Sequence, residues 1–192
     1  MRAITTTAVE NNVTYQAVLK EIITLVSATT FLALCARVSV PLLFSPVPLS
    51  LQNFGVLLIG LLLGPRRAIA AAAMYLLEGA AGLPVFAPTG PGGVLQLLGP
   101  TGGFLMSYPI VAGVAGMIFE KLGKSAKSAV IGSLVGEGFL FLCGLSWFLV
   151  FNRVSLGAAM MMTVLPFLPG EVLKVAAASA ISTSWQRWLR RS

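Results

Sequence analysis

Glu171 and Lys174 are the residues whose types and spacing best suit chemistry. They sit three apart in an otherwise apolar stretch, so a helix places both on one face. A carboxylate accepts from N–H donors and an ammonium donates to a carbonyl, so the pair suits a neutral polar ligand that carries both. Pro166 and Pro169-Gly170 stand just before them. Proline is tolerated at a helix start, so the spacing predicts a helix that begins, or restarts after a break, near Pro169. Glu171 then falls in the first turn, where the helix dipole favours a negative charge. Ionisable groups at membrane depth are costly and mark functional sites. Glu137 and Glu78 are further candidates of this kind, the second at an interfacial position.

Other chemistry is excluded by what the chain lacks. There is no His and no Asp; all six acids are Glu. That removes a zinc-protease motif, a Ser–His dyad and an aspartyl dyad. Cys35 and Cys143 lie in apolar runs with no metal-ligand spacing and read as small core residues. Gly123-Lys124-Ser125 resembles the end of a phosphate-binding loop. The position of that motif's first glycine is Ile118, however, and a strand does not precede it. With no nucleotide site, no cofactor is expected, and any ATP-driven work falls to a partner subunit.

The elements that must position the pair are membrane helices. The chain has 192 residues, 57% hydrophobic and only 10% charged, with a mean hydropathy of +0.91. Soluble domains carry about 25% charged residues. The apolar runs are near-continuous and do not alternate, which points to helices and not to a barrel. Six spans are predicted, at about 20–38, 50–64, 67–82, 103–119, 127–151 and 157–187, preceded by a retained tail over 1–19 with no signal peptide. The predicted class is an all-α integral membrane protein, a compact bundle of six transmembrane helices with a long, partly re-entrant loop between the third and fourth.

The net charge of +7 reads as topology and not as a nucleic-acid site. Of the 13 basic residues, ten fall on one side of the predicted spans: Arg2, Lys20, Arg66, Arg67, Lys121, Lys124, Lys127, Arg187, Arg190 and Arg191. Arg37 and Arg153 fall on the other, and Lys174 lies within the last span. Such asymmetry predicts a multi-pass protein of the cytoplasmic membrane with both termini cytoplasmic and anionic lipid headgroups as neighbours.

Two connections carry more than a turn. Pro41 to Pro48 is apolar, uncharged and interrupted by three prolines, so it cannot be a regular helix and is expected to fold over the outer mouth. The second and third spans are short, about 22 Å against a hydrocarbon core of about 30 Å. They meet at the basic Gly64–Arg67 turn, which leaves a vacancy at the outer end. Residues 82–103, rich in Gly and Pro yet carrying Leu83, Val85, Phe86, Val94 and Leu95, are expected to fill it. Irregular backbone at that depth must be buried or line a cavity, which marks a binding site. In the first span, Thr29, Ala33 and Ala36 form a small-residue face suited to close helix approach.

Six motifs in order then carry a family resemblance: Val47-Pro48-Leu49-Ser50-Leu51-Gln52, Leu63-Gly64-Pro65-Arg66-Arg67, Tyr75-Leu76-Leu77, Gly82-Leu83-Pro84-Val85-Phe86-Ala87, Gly99-Pro100-Thr101-Gly102-Gly103, and Pro169-Gly170-Glu171-x-x-Lys174. Together they resemble the BioY family, the biotin-capturing S components of energy-coupling-factor (ECF) transporters, from about residue 28 to about residue 178. The resemblance implies a six-helix bundle that binds biotin near its outer face, transport and not catalysis, and a coupling subunit with ATPases as partners. It assigns biotin contacts to Glu171 and Lys174, to Leu83, Pro84, Val85, Phe86 and Ala87, and more loosely to Gln52, Tyr75 and Thr101. It makes Thr29, Ala33 and Ala36 the docking face for the coupling subunit. The chain departs from the family in having Glu171 for the usual Asp, Ser50 for a frequent Thr and Ala68 for a frequent Gly. An S component for another vitamin and, less readily, an intramembrane enzyme pairing a Ser with Lys174 stay open as alternatives.

Overall fold

The computed structural model describes residues 2–43 and 45–191, with side chains from residue 15 onward. Helix α1 (Arg2–Arg37) is followed by strands β1 (Ser39–Leu42) and β2 (Ser45–Ser50), then α2 (Gln52–Leu63), α3 (Pro65–Ala80) and the short α4 (Gly93–Leu97). Helices α5 (Gly102–Lys121), α6 (Ala126–Asn152), α7 (Leu156–Thr163) and α8 (Leu168–Leu189) complete it. The expected tail over 1–19 is helical from Arg2, continuous with the first span; Met1 and the side chains of residues 2–14 lie outside the described residues.

Among the described residues, three segments are long and apolar enough to cross a bilayer: Tyr15–Arg37, α5 and α6. Helices α7 and α8 form a fourth as a broken pair bent by 49°. The break falls at Pro166, whose ring cannot continue the helix, and α8 restarts at Leu168 with Pro169 in its first turn. This is the restart that the prolines predict.

Helix α5 is the central post. It packs against α6, α3 and α2, and 67% of its apolar window is buried, against 22% for α1. Backbones approach closely where α2 crosses α5: a Cβ on Gly60 would stand 2.6 Å from the Ala112 carbonyl oxygen, and one on Gly116 would stand 2.5 Å from that of Gly60. Small residues let dispersion contacts build between helices where lipid removes the hydrophobic drive.

Two expectations are corrected. The Pro41–Pro48 segment is not merely a fold-back, and the chain is not wholly α. Antiparallel strands pair Ser39 with Ser50, Val40 with Leu49 and Leu42 with Ser45. A two-stranded ribbon tolerates prolines because each strand has a free edge, and the register shift between Val40 and Leu42 absorbs Pro41. Phe44, within this segment, lies outside the described residues. The small-residue face of α1 is the second correction. Thr29 and Ala36 are buried in the chain's own bundle and Ala33 is half-buried against its core. The Thr29 hydroxyl donates to Glu78 Oε1 at 3.1 Å. That face is used up by internal packing, whereas Ile22, Val26, Thr30 and Leu34 are exposed.

Candidate functional site

At the end of the bundle where α2 and α5 begin, a cavity of about 390 Å³, open mouth included, lies between β2 and the α7–α8 break. Val47, Pro48 and Ser50 of β2 form one wall. Phe104 and Tyr108 of α5, Leu140 and Phe141 of α6, and Thr163 and Phe167 beside the break form the others. Apart from the hydroxyls of Ser50, Thr163 and Tyr108, the lining is apolar and aromatic except where Asn53, Glu171 and Lys174 enter. Few polar groups in an apolar, concave pocket is the usual form of a small-molecule site.

Local folding explains that polar cluster. Restarting α8 at Leu168 puts Glu171 in the first turn and Lys174 one turn further on. The two make an ion pair, Lys174 Nζ to Glu171 Oε1, at 2.9 Å. Asn53, in the first turn of α2, joins them from across the bundle. Its Oδ1 accepts from Lys174 Nζ at 2.8 Å, and its Nδ2 donates to Glu171 Oε2 and, at 3.2 Å, to Glu137 Oε1. All four side chains are at least nine-tenths buried. A buried ion pair gains from such added hydrogen bonds, which offset part of the desolvation cost. One N–H of the Lys174 ammonium is uncommitted among the described residues, as are further lone pairs on Glu171.

The structure divides the predicted site residues into two groups. Glu171 and Lys174 line this cavity. Gln52, Tyr75, Val85 and Phe86 form a separate brace beside it. The Gln52 amide donates to the Tyr75 hydroxyl, which donates to the Val85 carbonyl at 2.8 Å. The Phe86 ring meets Tyr75 edge-on at 5.4 Å and lies over Gly79, where a Cβ would stand 2.0 Å from the ring. Leu83 and Pro84 are exposed, Ala87 is buried, and none of Leu83 to Ala87 lines the cavity of the ion pair. The Arg37 guanidinium donates to the Pro84 carbonyl and ties this loop to the end of α1. Thr101 opens on a second hollow shared with Thr89, Gly90 and Gln96. Pro48 is the wall between the two. Trp147 Nε1 donates to the Gly99 carbonyl at 2.8 Å and anchors the far end of the loop.

Sequence reasoning missed Asn53, Tyr108 and the ring of Phe104. Asn53 had a signal: an amide directly after Gln52 at the head of an apolar run. Neighbours on a helix point about 100° apart, so Gln52 goes to the brace and Asn53 to the ion pair. Tyr108 gave none, because an aromatic in a membrane helix reads as packing.

A helical membrane bundle with a largely apolar pocket, and a hydrogen-bonding cluster on its wall, defines a class: a membrane-embedded binder of a small molecule. Comparison with known proteins narrows this. The BioY family model matches residues 6–191, and the chain belongs to that family. A probable biotin transporter BioY of Pyrococcus horikoshii is 38% identical over 79% of this chain and 86% of its own. The biotin transporter BioY of Thermotoga maritima is 35% identical over 80% of this chain and 88% of its own. That of Rhodobacter capsulatus is 36% identical over 75% and 80%. Among solved structures, the S component for biotin from an ECF-type ABC transporter is similar with a TM-score of 0.81. It is 25% identical, and the match covers 90% of this chain and 93% of that one.

Proposed function

We propose that the protein captures biotin with high affinity and carries it across the cytoplasmic membrane as the substrate-binding subunit of an ECF-type transporter. One observation carries the reading: in a chain of the BioY family, the Glu171–Lys174 pair lies on the wall of a largely apolar pocket. The ureido ring of biotin offers two N–H donors and one carbonyl acceptor, which suits a carboxylate beside an ammonium. The rest of the bicycle and the valeryl chain suit Phe104, Tyr108, Leu140 and Phe167. Leu83 to Ala87, with Gln52 and Tyr75, brace the outer wall, and the second hollow by Thr101 receives the end of the chain. The reading includes six crossings, with α2 and α3 as short spans, both termini cytoplasmic and the pocket toward the outside. A coupling subunit and ATPases complete the transporter, and the exposed Ile22–Val26–Thr30–Leu34 stripe of α1 is the docking face that packing leaves free.

Titration of the purified protein with biotin, thiamine and riboflavin tests the ligand. Saturable binding of biotin alone is expected; saturable binding of another vitamin in its place would overturn the reading. Lys174→Ala removes a charge-assisted hydrogen bond worth about 1.5–3 kcal/mol, so biotin affinity is expected to fall roughly ten- to more than a hundredfold. Lys174→Met with full affinity would make the ion pair purely structural.

A further inference from the structure

Glu137 is the buried acid that this reading leaves unused. It comes from the middle of α6, is not among the residues that line the cavity, and is 4% exposed. Its Oε1 accepts from Asn53 Nδ2, while its Oε2 is buried without a hydrogen-bond partner among the described residues. The chain thus buries a second carboxylate beside one ammonium, at a cost that packing alone does not require. Its Oε1 is bonded to Asn53, the Glu171 carboxylate and the Lys174 ammonium also lie close enough to act on it, and Asn53 lines the cavity.

An amide can sit two ways round. Here the two N–H bonds of Asn53 go to Glu137 and Glu171, and its oxygen goes to Lys174. Flipped, the NH2 would face an ammonium and the oxygen would face two carboxylates. Glu137 takes the N–H that Glu171 does not, so both N–H bonds and the oxygen of the amide are engaged and its plane is held on three sides. With the plane held, Lys174 and Glu171 are each held by two bonds, and both line the cavity.

We propose that Glu137 is a positioning residue of the binding site. Acting through Asn53, it sets the orientation in which Asn53, Glu171 and Lys174 meet an uncharged ligand head that both donates and accepts hydrogen bonds. This rests on the reading of the pocket as the biotin site. Replacing Glu137 by an apolar side chain frees one Asn53 N–H, leaves the amide to rock about its two remaining bonds and blurs the geometry of both charged partners.

The test is a set of biotin titrations on the purified full chain. Glu137→Leu is expected to weaken binding by roughly tenfold, the scale of one hydrogen bond to a charged group. Glu137→Gln, which can still accept from Asn53, should recover most of that loss, and Asn53→Leu with Glu137→Leu should bind no worse than Asn53→Leu alone. A partner swap covers the event that Glu137→Leu does not fold. Asn53→Asp sets a third carboxylate in the cluster and should abolish binding, and adding Glu137→Gln returns the cluster to its original charge, supplies an N–H to position 53 and should restore binding in part. Wild-type affinity in Glu137→Leu, losses from Asn53→Leu and Glu137→Leu that simply add, or no rescue in the swap would overturn the proposal. Should the wild-type chain not bind biotin, the functional reading fails by itself. The same cycle read in the ligand-free melting temperature then decides: shifts that add within error overturn the Asn53–Glu137 link, and shifts that do not add support it.

Discussion

At the residue scale, the pocket depends on a few side chains held by specific partners. The Tyr75 hydroxyl is one, because it receives from Gln52 and donates to the Val85 carbonyl, joining two helices to the loop. Tyr75→Phe keeps the ring contact with Phe86 and removes only that relay. A cost of about 0.5–1.5 kcal/mol is expected, seen as a lower melting temperature and faster biotin release; unchanged release would mean that the relay does not hold the loop. Gly79→Ala is expected to be worse, since the Phe86 ring occupies the place of its Cβ and cannot move without leaving Tyr75. What was legible in the sequence divides along the same line. Glu171 and Lys174 stand out because both are charged, share a helix face and follow a proline break. Asn53 and Glu137 come from helices 118 and 34 positions from Glu171 in the chain, and only tertiary packing shows that they converge on it. The Leu83–Ala87 motif is legible as important, but its part in bracing and not lining depends on where Phe86 turns, which spacing does not encode.

At the scale of elements, boundaries followed from breakers and hydropathy, whereas faces did not. The predicted spans 103–119 and 127–151 fall within α5 and α6, because Gly102 and the Gly123–Ser125 turn punctuate long apolar runs. Ser125 caps α6, its side chain and that of Ser128 each taking a backbone N–H of the other. The Pro41–Pro48 ribbon was not legible, since prolines read as the absence of a ladder, and only the pairing of Val40 with Leu49 shows a strand on each side. The face of α1 was misread for a related reason: small residues allow close approach to any helix, and here the neighbours are the chain's own α2 and α3. The prediction follows from burial. Ala36 is 0% exposed and Leu34 63% exposed. Ala36→Trp overpacks the core, at a cost of about 1–3 kcal/mol or more, and is expected to lower both the melting temperature and biotin binding. Leu34→Trp is expected to leave both intact and to reduce uptake in cells. Equal melting temperatures for the two variants would contradict the inward placement of Ala36.

At the scale of the whole molecule, charge and chemistry sit at opposite poles. Helix α2 runs from the cluster at Asn53 to the Gly64–Arg67 turn, and α5 runs from the Thr101 hollow to Lys121. At the far pole Glu21, Arg66, Arg67, Glu120 and Lys121 border one polar cleft, with Arg67 paired to Glu21. At the pocket pole, besides Lys174 in its ion pair, the cations are Arg37, committed to the Pro84 carbonyl, and Arg153, which closes α6 in a left-handed turn. Basic residues are retained on the cytoplasmic side during insertion, which supports the proposed orientation with the pocket outward. That orientation gives a direct prediction. Pro91 and Ser125 are exposed at the two poles, and the native cysteines are buried or half-buried, which keeps the labelling background low. In intact cells, Pro91→Cys is expected to react with a membrane-impermeant maleimide and Ser125→Cys only after the membrane is opened. Bound biotin should slow the first reaction, because Pro91 borders the Thr101 hollow, and should leave the second unchanged. Labelling of Ser125→Cys from outside would invert the protein, and with it the direction from which the pocket takes its ligand.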